Sequence, residues 1–220
     1  MSEIILMADP RVAAVPVREC GEPLAGIRTD GSLLVDSRKE DGSTAFRHLR
    51  RNVLQRLLEA QEQLPEGLRL LVIEGYRPPG LQRRYFEDYA AALRAEHPAW
   101  PDERIRSAAS RFVSPPEIAP HSAGAAVDLT LADAEGRELD LGTPVNATPE
   151  ESEGACYTDA DGIGEQARTH RRLLGQALTT AGFVNYPTEW WHWSFGDRYW
   201  ALVTGAACAR YGTCAYDAVR

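Results

Sequence analysis

The chain has few cysteines, few histidines and no long apolar run, and each scarcity closes off a class of function. Its four cysteines are Cys20, Cys156, Cys208 and Cys214. None belongs to a C-x-x-C pair, which argues against a cysteine-rich zinc site, and four thiols do not make a disulfide scaffold in a chain of 220 residues. Cys208 and Cys214 flank A-R-Y-G-T and are spaced to close a tail loop under oxidation, but reduced thiols are the expectation. No stretch approaches the roughly 18 apolar residues of a membrane span. The opening M-S-E-I-I-L-M-A-D-P is too short in apolar content and too acidic for a secretory leader, so a cytoplasmic protein with no membrane partner is expected. No run of Lys or Arg would track phosphates and the net charge is −8, which argues against a nucleic-acid partner. Internal repeats and low-complexity linkers are missing too.

What is present describes one globular unit. Apolar residues make up 44% and charged residues 25% of the chain, an ordinary balance for a folded domain. At this length a single core buries roughly 70% of the unfolded surface. The first 42 residues read as strand and loop, with D-G turns at 30–31 and 41–42. Ser43 and Thr44 then cap a helix whose apolar face is Phe46, Leu49, Val53, Leu57 and Leu58. After Gly67, Leu68 to Ile73 reads as a buried strand. Helices follow from Leu81 to about Glu96 and from Asp102 to Phe112. Ala125 to Leu131 and a piece near Leu139 read as strands, and Gly164 to Thr180 as a helix ended by Gly182. Phe183 to Phe195, with an interruption, and Tyr199 to Thr204 complete the pattern as strands. Strands and helices do not alternate regularly, so the expected class is α+β: one domain, a central, mostly antiparallel sheet and flanking helices. Residues 24–204 would form its core and 205–220 a C-terminal tail.

The five histidines divide by context. His48 falls on the first helix among arginines, His97 precedes a proline at a helix end, and His170 begins T-H-R-R on the late helix. Surface or capping roles are expected for these three. His121 and His192 each have an acidic neighbour in a weakly charged setting. Asp128 lies in the apolar run A-A-V-D-L-T-L, where a lone carboxylate is costly unless paired, hydrogen-bonded or bound to a metal. In one straight strand His121 and Asp128 would face opposite sides, but Gly124 between them permits a turn that lets them converge. A carboxylate satisfied by backbone N–H groups beside an unrelated loop histidine remains open at this point.

The stretch T-E-W-W-H-W-S-F-G-D-R-Y-W, residues 188–200, holds four of the five tryptophans around Glu189 and His192. A bulge or half-turn would bring both toward one place. Zinc favours imidazole and carboxylate donors, and a catalytic zinc keeps three protein ligands. His121, Asp128 and His192 supply that count, with Glu189 placed to take a proton from the water that the ion activates. Period two would put Trp190 on the His192 side and Trp191 and Trp193 on the other, mostly as packing. A third piece, E-G-Y-R-P-P-G at 74–80, follows an apolar strand. Its Arg77 precedes two prolines, so it projects from a stiff turn, suited to a developing oxyanion or a substrate carboxylate.

E-G-Y-R-P, H-S-A-G-A-A-V-D and E-W-W-H, in this order and spacing, resemble the VanX-type D-alanyl-D-alanine dipeptidases of the zinc D,D-peptidase superfamily. The likeness extends from about Leu24 to Tyr199, through L-D-L-G-T at 139–143. It implies a zinc site at the sheet, with one Zn²⁺ per chain on His121, Asp128 and His192. It implies Glu189 as general base and then proton donor to the leaving amine, and Arg77 as stabiliser of the tetrahedral intermediate. Ser122, Asn146 and Tyr76 are expected beside the substrate. The resemblance implies hydrolysis of D-Ala-D-Ala or a related D-amino-acid dipeptide, in peptidoglycan precursor turnover, D-alanine recovery or glycopeptide resistance.

Two positions depart from that pattern. Relatives often carry Ser where this chain has Ala119, and an acidic residue where it has Asn146. Both lie on the side that grips the substrate's ammonium group, so recognition of a free amino terminus would weaken. Ser122 and Glu153 are candidates to compensate. The alternatives are a D,D-carboxypeptidase, which an open groove would favour, and a zinc-bearing binding module without catalysis, against which Glu189 and Arg77 argue.

Overall fold

The computed structural model describes residues 4–28, 30–40 and 43–216. The D-G pair at 41–42 therefore lies outside the described residues. Five strands form the central sheet: β2 (Leu34–Val35), β4 (Arg69–Glu74), β5 (Ala126–Ala132), β7 (Glu189–Ser194) and β6 (Val184–Tyr186), adjacent in that order. Only the β2–β4 pair is parallel, so the mostly antiparallel sheet expected from the sequence is what forms. β1 (Leu24–Gly26) and β3 (His48–Arg50) make a separate antiparallel pair.

β5 is buried along its whole length and β4 from its second residue on, which explains their near-continuous apolar runs. α2 (Arg51–Glu62) and α5 (Glu165–Thr180) bury Val53, Leu57, Leu174 and Leu178 in the same core as Leu70, Val72, Leu129 and Leu131. α3 (Pro79–Glu96) and α4 (Asp102–Ala109) pack on each other through Ala90, Leu93, Ile105 and Ala109, forming a smaller cluster of their own. Pro79 sits at the start of α3, where its missing N–H costs nothing.

Two sequence expectations are corrected. The first helix begins at Arg51, because residues 45–47 form a 3₁₀ turn and His48–Arg50 a strand. The backbone there is claimed from a distance: Gly75 and Tyr76 donate to the Phe46 and His48 carbonyls. Gly75 is required at this crossing, since a Cβ would lie 2.6 Å from the His48 oxygen. His48 is consequently buried rather than on a helix surface. The second correction is Tyr199 to Thr204, which is helix α6 (Arg198–Thr204), not a strand. Asp197 caps it by accepting from the Tyr199 and Trp200 N–H groups at 2.8 and 3.2 Å. Smaller differences are that α4 stops at Ala109 and that the piece near Leu139 is only an isolated bridge, Ala132 to Glu138.

Described residues on both flanks of the expected 24–204 core pack against it. α1 (Pro10–Ala14) contributes Val12 to a cluster with Met7, Tyr186 and Tyr199. Beyond α6, Tyr211 enters the main core and Cys214 donates its N–H to the Ser122 carbonyl at 3.0 Å. The four cysteines are free. Among the described residues no helix is long and apolar enough to cross a membrane.

Candidate active site

One rung of the sheet sets the site. Asp128 on β5 is paired with Glu74 of β4 on one side and with His192 of β7 on the other. His121 reaches the same point from a 3₁₀ turn, His121–Ala123, that ends at Gly124. Gly124 has φ +66°, and a Cβ on it would lie 2.4 Å from Leu24 Cδ2, so this reversal demands glycine.

The interruption between β6 and β7 is a two-residue turn at 187–188, and a bulge follows it within β7. Asn185 is paired with Trp193 and Tyr186 with Glu189, so one step along β6 spans four along β7. The Asn185 amide donates to the Glu189 and His192 carbonyls, both at 3.0 Å, and so satisfies the ladder groups that the bulge frees. Glu189 Oε2 thereby comes to 3.8 Å from His192 Nδ1. Trp190, Trp191 and Trp193 all enter the main core. Trp190 Nε1 donates to Thr143 Oγ1 at 2.8 Å and Trp193 Nε1 to the Trp190 carbonyl at 3.0 Å. The aromatic wall supports the site from behind and does not line its cavity.

His121 Nε2, His192 Nδ1 and Asp128 Oδ1 form a triangle with edges of 3.1, 3.0 and 3.2 Å. Two nitrogens and one carboxylate oxygen are a zinc-type donor set, and donors about 2.0–2.1 Å from one tetrahedral ion stand roughly 3.3 Å apart. The residues therefore fit a metal ion. His121 Nδ1 donates to the Gly75 carbonyl at 2.6 Å, which leaves its Nε2 lone pair facing the triangle. Burial outweighs the Asp128 carboxylate and pushes the His192 imidazole below its ordinary pKa, toward the neutral, ligating form. His192 Nε2 and Asp197 Oδ2 are both buried without a hydrogen-bond partner among the described residues. Burial opposes ionisation of Asp128, but His121 and then His192 outweigh it and hold the carboxyl well below the usual range. Glu189 goes the other way: burial first, then the Asp128 charge, raise it well above an ordinary carboxylate.

Arg77 is locked by its neighbours. Nε and Nη2 donate to the two Glu74 oxygens at 2.7 and 2.6 Å, and Nη1 donates to Gln82 Oε1 at 2.9 Å. Its guanidinium stands 4.0 Å from Asp128 Oδ2. Glu74 and Gln82 were not singled out from the sequence. Glu74 carried the same signal as Asp128, a carboxylate closing an apolar strand. Gln82 and Asn185 gave none.

A cavity of about 340 Å³ opens over these groups. Arg77, His121, Asp128, Glu189 and His192 line it together with Tyr85, Asp88 and Tyr89 of α3, with Phe112 to Ser114, and with Lys39 and Asn146. Asn146 holds a left-handed backbone, φ +67°. Ser122 and Tyr76 do not line it: the Ser122 hydroxyl donates to the Arg77 carbonyl at 2.9 Å and the Tyr76 hydroxyl to the Cys214 carbonyl at 2.7 Å. Ala119 is buried, and Glu153 is exposed and away from the cavity lining. His97 stacks on Trp100 and His170 faces the Asp140 carbonyl, so neither belongs to the site.

The loop bearing Asn146 is fastened by Arg171 of α5. This buried guanidinium donates to the carbonyls of Leu141, Ala155, Tyr157 and Thr158, and makes no ion pair among the described residues. Burial lowers its pKa to about 10.

Comparison with known proteins shows the family to which the chain belongs. The peptidase M15 profile, described as D-Ala-D-Ala dipeptidase, matches residues 39–206. A D-alanyl-D-alanine dipeptidase from Synechocystis is 30% identical over 219 residues, covering 86% of this chain and 87% of that protein. Another from Escherichia coli is 30% identical over 126 residues, 57% of this chain and 54% of that protein. Among solved structures, a vancomycin resistance D,D-pentapeptidase, VanY, in complex with Zn(II) is similar with a TM-score of 0.45 and 16% identity, over 90% of this chain and 88% of that one. The chain belongs to the D-Ala-D-Ala dipeptidase family, peptidase M15, and is a metallopeptidase.

Proposed function

We propose that the protein is a zinc-dependent dipeptidase that hydrolyses D-Ala-D-Ala or a closely related D-amino-acid dipeptide, with one Zn²⁺ per chain. The observation that carries this reading is the meeting of a three-donor triangle, a buried glutamate and a locked arginine in one cavity of about 340 Å³. Family membership and the dipeptidases among the relatives support it. So does the small size of the cavity that α3 and the 112–114 segment help to wall, since about 340 Å³ suits a small free peptide better than a long one.

His121, Asp128 and His192 would hold the zinc, which when bound acidifies water and polarises the scissile carbonyl. Glu189 takes the proton of the attacking water and delivers it to the leaving amine. Burial keeps this carboxyl dry, so its proton transfers are not shared with solvent. Arg77, already oriented by Glu74 and Gln82, donates to the oxygen on which negative charge develops, with little reorganisation at the moment of reaction. A cytoplasmic setting, and a role in precursor turnover, D-alanine recovery or glycopeptide resistance, go with this reading.

The test is hydrolysis by the zinc-loaded protein of D-Ala-D-Ala, L-Ala-L-Ala and a pentapeptide ending in D-Ala-D-Ala. Release of D-alanine from the D,D-dipeptide, abolished by a chelator and restored by zinc, is expected. Cleavage of the pentapeptide alone would replace this reading with a carboxypeptidase, and cleavage of none of them would remove it.

A further inference from the structure

The cavity is lined by three carboxylates that differ in what they are free to do. Asp128 belongs to the donor triangle. Glu189 is buried beside it. Asp88 is exposed at the cavity wall and has no hydrogen bond or ion pair among the described residues. Its place on α3 gives it company: Tyr85, Asp88 and Tyr89, at i, i+3 and i+4, share one helical face, and all three line the cavity. Phe112 stands against Tyr89 edge to face at 5.1 Å and lines the same wall.

A carboxylate set among aromatic rings is a site for an ammonium group. The carboxylate supplies the charge, and Tyr89 and Phe112 offer ring surface beside it, whereas the Tyr85 face is already met by Arg77 at 5.0 Å and Lys39 at 5.5 Å. The cavity also has a loosely held cation. Lys39, the chain's single lysine, lies 3.7 Å from Glu74 Oε2, but both Glu74 oxygens already accept from Arg77, so much of its charge is left for another anion. A free dipeptide carries one charge of each sign, and the residues left unspent by the metal triangle and by Arg77 offer the complement of each. Asn146, on the same lining, brings no charge.

We propose that Asp88 binds the substrate's free α-ammonium group and makes the enzyme select unblocked dipeptides over N-acylated peptides. This rests on the dipeptidase reading. Asp88 binds and orients; it takes no part in proton transfer, because Glu189 and the donor triangle supply the chemistry. Its side chain is exposed on a helix, so Asp88→Asn leaves the fold intact.

The experiment compares wild type, Asp88→Asn and Asp88→Glu, all zinc-loaded, on D-Ala-D-Ala and N-acetyl-D-Ala-D-Ala, using KM and kcat for turnover and calorimetric Kd for binding of each peptide. Asp88→Asn is expected to raise KM and Kd for D-Ala-D-Ala about 10- to 100-fold with kcat within about threefold. Values for the N-acetyl peptide, read as Kd where it is not turned over, should stay unchanged, and Asp88→Glu should restore part of the loss. Equal losses for both peptides, or no loss for the free dipeptide, would overturn the assignment. A wild type that binds D-Ala-D-Ala in an Asp88-dependent way without cleaving it would uphold Asp88 and sink the dipeptidase reading. Cleavage unaffected by Asp88→Asn would do the reverse.

Discussion

Asn185 holds Glu189 in place through the backbone: its amide nitrogen donates to the Glu189 carbonyl at 3.0 Å and, at the same distance, to that of His192. Its oxygen in turn accepts from Thr158 Oγ1 at 2.5 Å, so the amide cannot turn over without losing all three bonds. Asn185→Ala is expected to weaken metal affinity roughly 10- to 100-fold, the usual cost of losing a group that orients ligands. It should also lower the unfolding temperature. Metal titration with a competing chelator checks the first outcome, and wild-type affinity in the variant would mean that the bulge holds itself.

The roles of Glu189 and His192 separate cleanly by metal content. Glu189→Gln should keep its metal and lose about 10²–10⁴-fold in kcat, the range for a general acid–base group. His192→Ala removes one corner of the triangle, so its loss of activity should follow loss of bound metal. Elemental analysis beside kcat distinguishes the two. A metal-replete, inactive His192→Ala would contradict its place among the ligands.

For Arg77, the geometry that Glu74 and Gln82 impose is the point. Lysine keeps the charge but cannot occupy a two-oxygen fork and an amide at once. Arg77→Lys should reduce kcat by roughly 10²–10³-fold, as for loss of one oxyanion donor, with KM changed far less. A change confined to KM would move Arg77 from the transition state to ground-state binding.

Stability of the metal-free protein should depend on pH through Glu189 and Asp128 in opposite directions. Glu189 is raised well above 4.5, chiefly by burial, so its contribution is fully present below pH 4.5 and is lost as pH rises through the folded-state value. Asp128 is lowered below 3.8 because His121 and His192 outweigh burial, so its contribution is present above pH 3.8 and is lost on acidification. Burial also lowers the His192 imidazole, which favours the fold as pH rises, so the quantity to read is a difference: above pH 4.5 the thermal midpoint of wild type should fall with pH relative to that of Glu189→Gln. Parallel slopes would remove Glu189 as the cause.

How much of this was legible beforehand depended on whether the deciding interaction was local. His121, Asp128, Glu189 and His192 could be picked out because each is a polar group in a weakly charged or apolar setting, and Arg77 because two prolines stiffen the turn that carries it. The position of the bulge was not readable, because it is fixed by Asn185, a residue with no unusual neighbours in sequence. Phe46 and Leu49 have helical spacing, yet the segment is a turn and a strand because Gly75 and Tyr76 take its carbonyls from some 28 residues away along the chain. Y-W-A-L-V-T has strand composition and folds as a helix, since Asp197 caps its start and Gly205 adopts φ +72° at its end. That pair of signals was in the sequence and outranked the propensity of the residues between them. Ser122 and Tyr76 adjoin His121 and Arg77 in sequence yet do not line the cavity, because consecutive side chains rarely point the same way.

The donor triangle also has a kinetic side. His192 lies 64 positions from Asp128 and 71 from His121, so the triangle exists only after long loops have closed and β5 has paired with β7. Such contacts of high sequence separation form slowly, and the entropy of closing the loop is lost before any bonding repays it. A metal ion on the triangle becomes a clasp across that loop, stabilising the native state by mass action without assisting the early search. Metal should accordingly slow unfolding much more than it speeds folding, so the loaded enzyme resists proteolysis and heat chiefly by staying folded once it has arrived there.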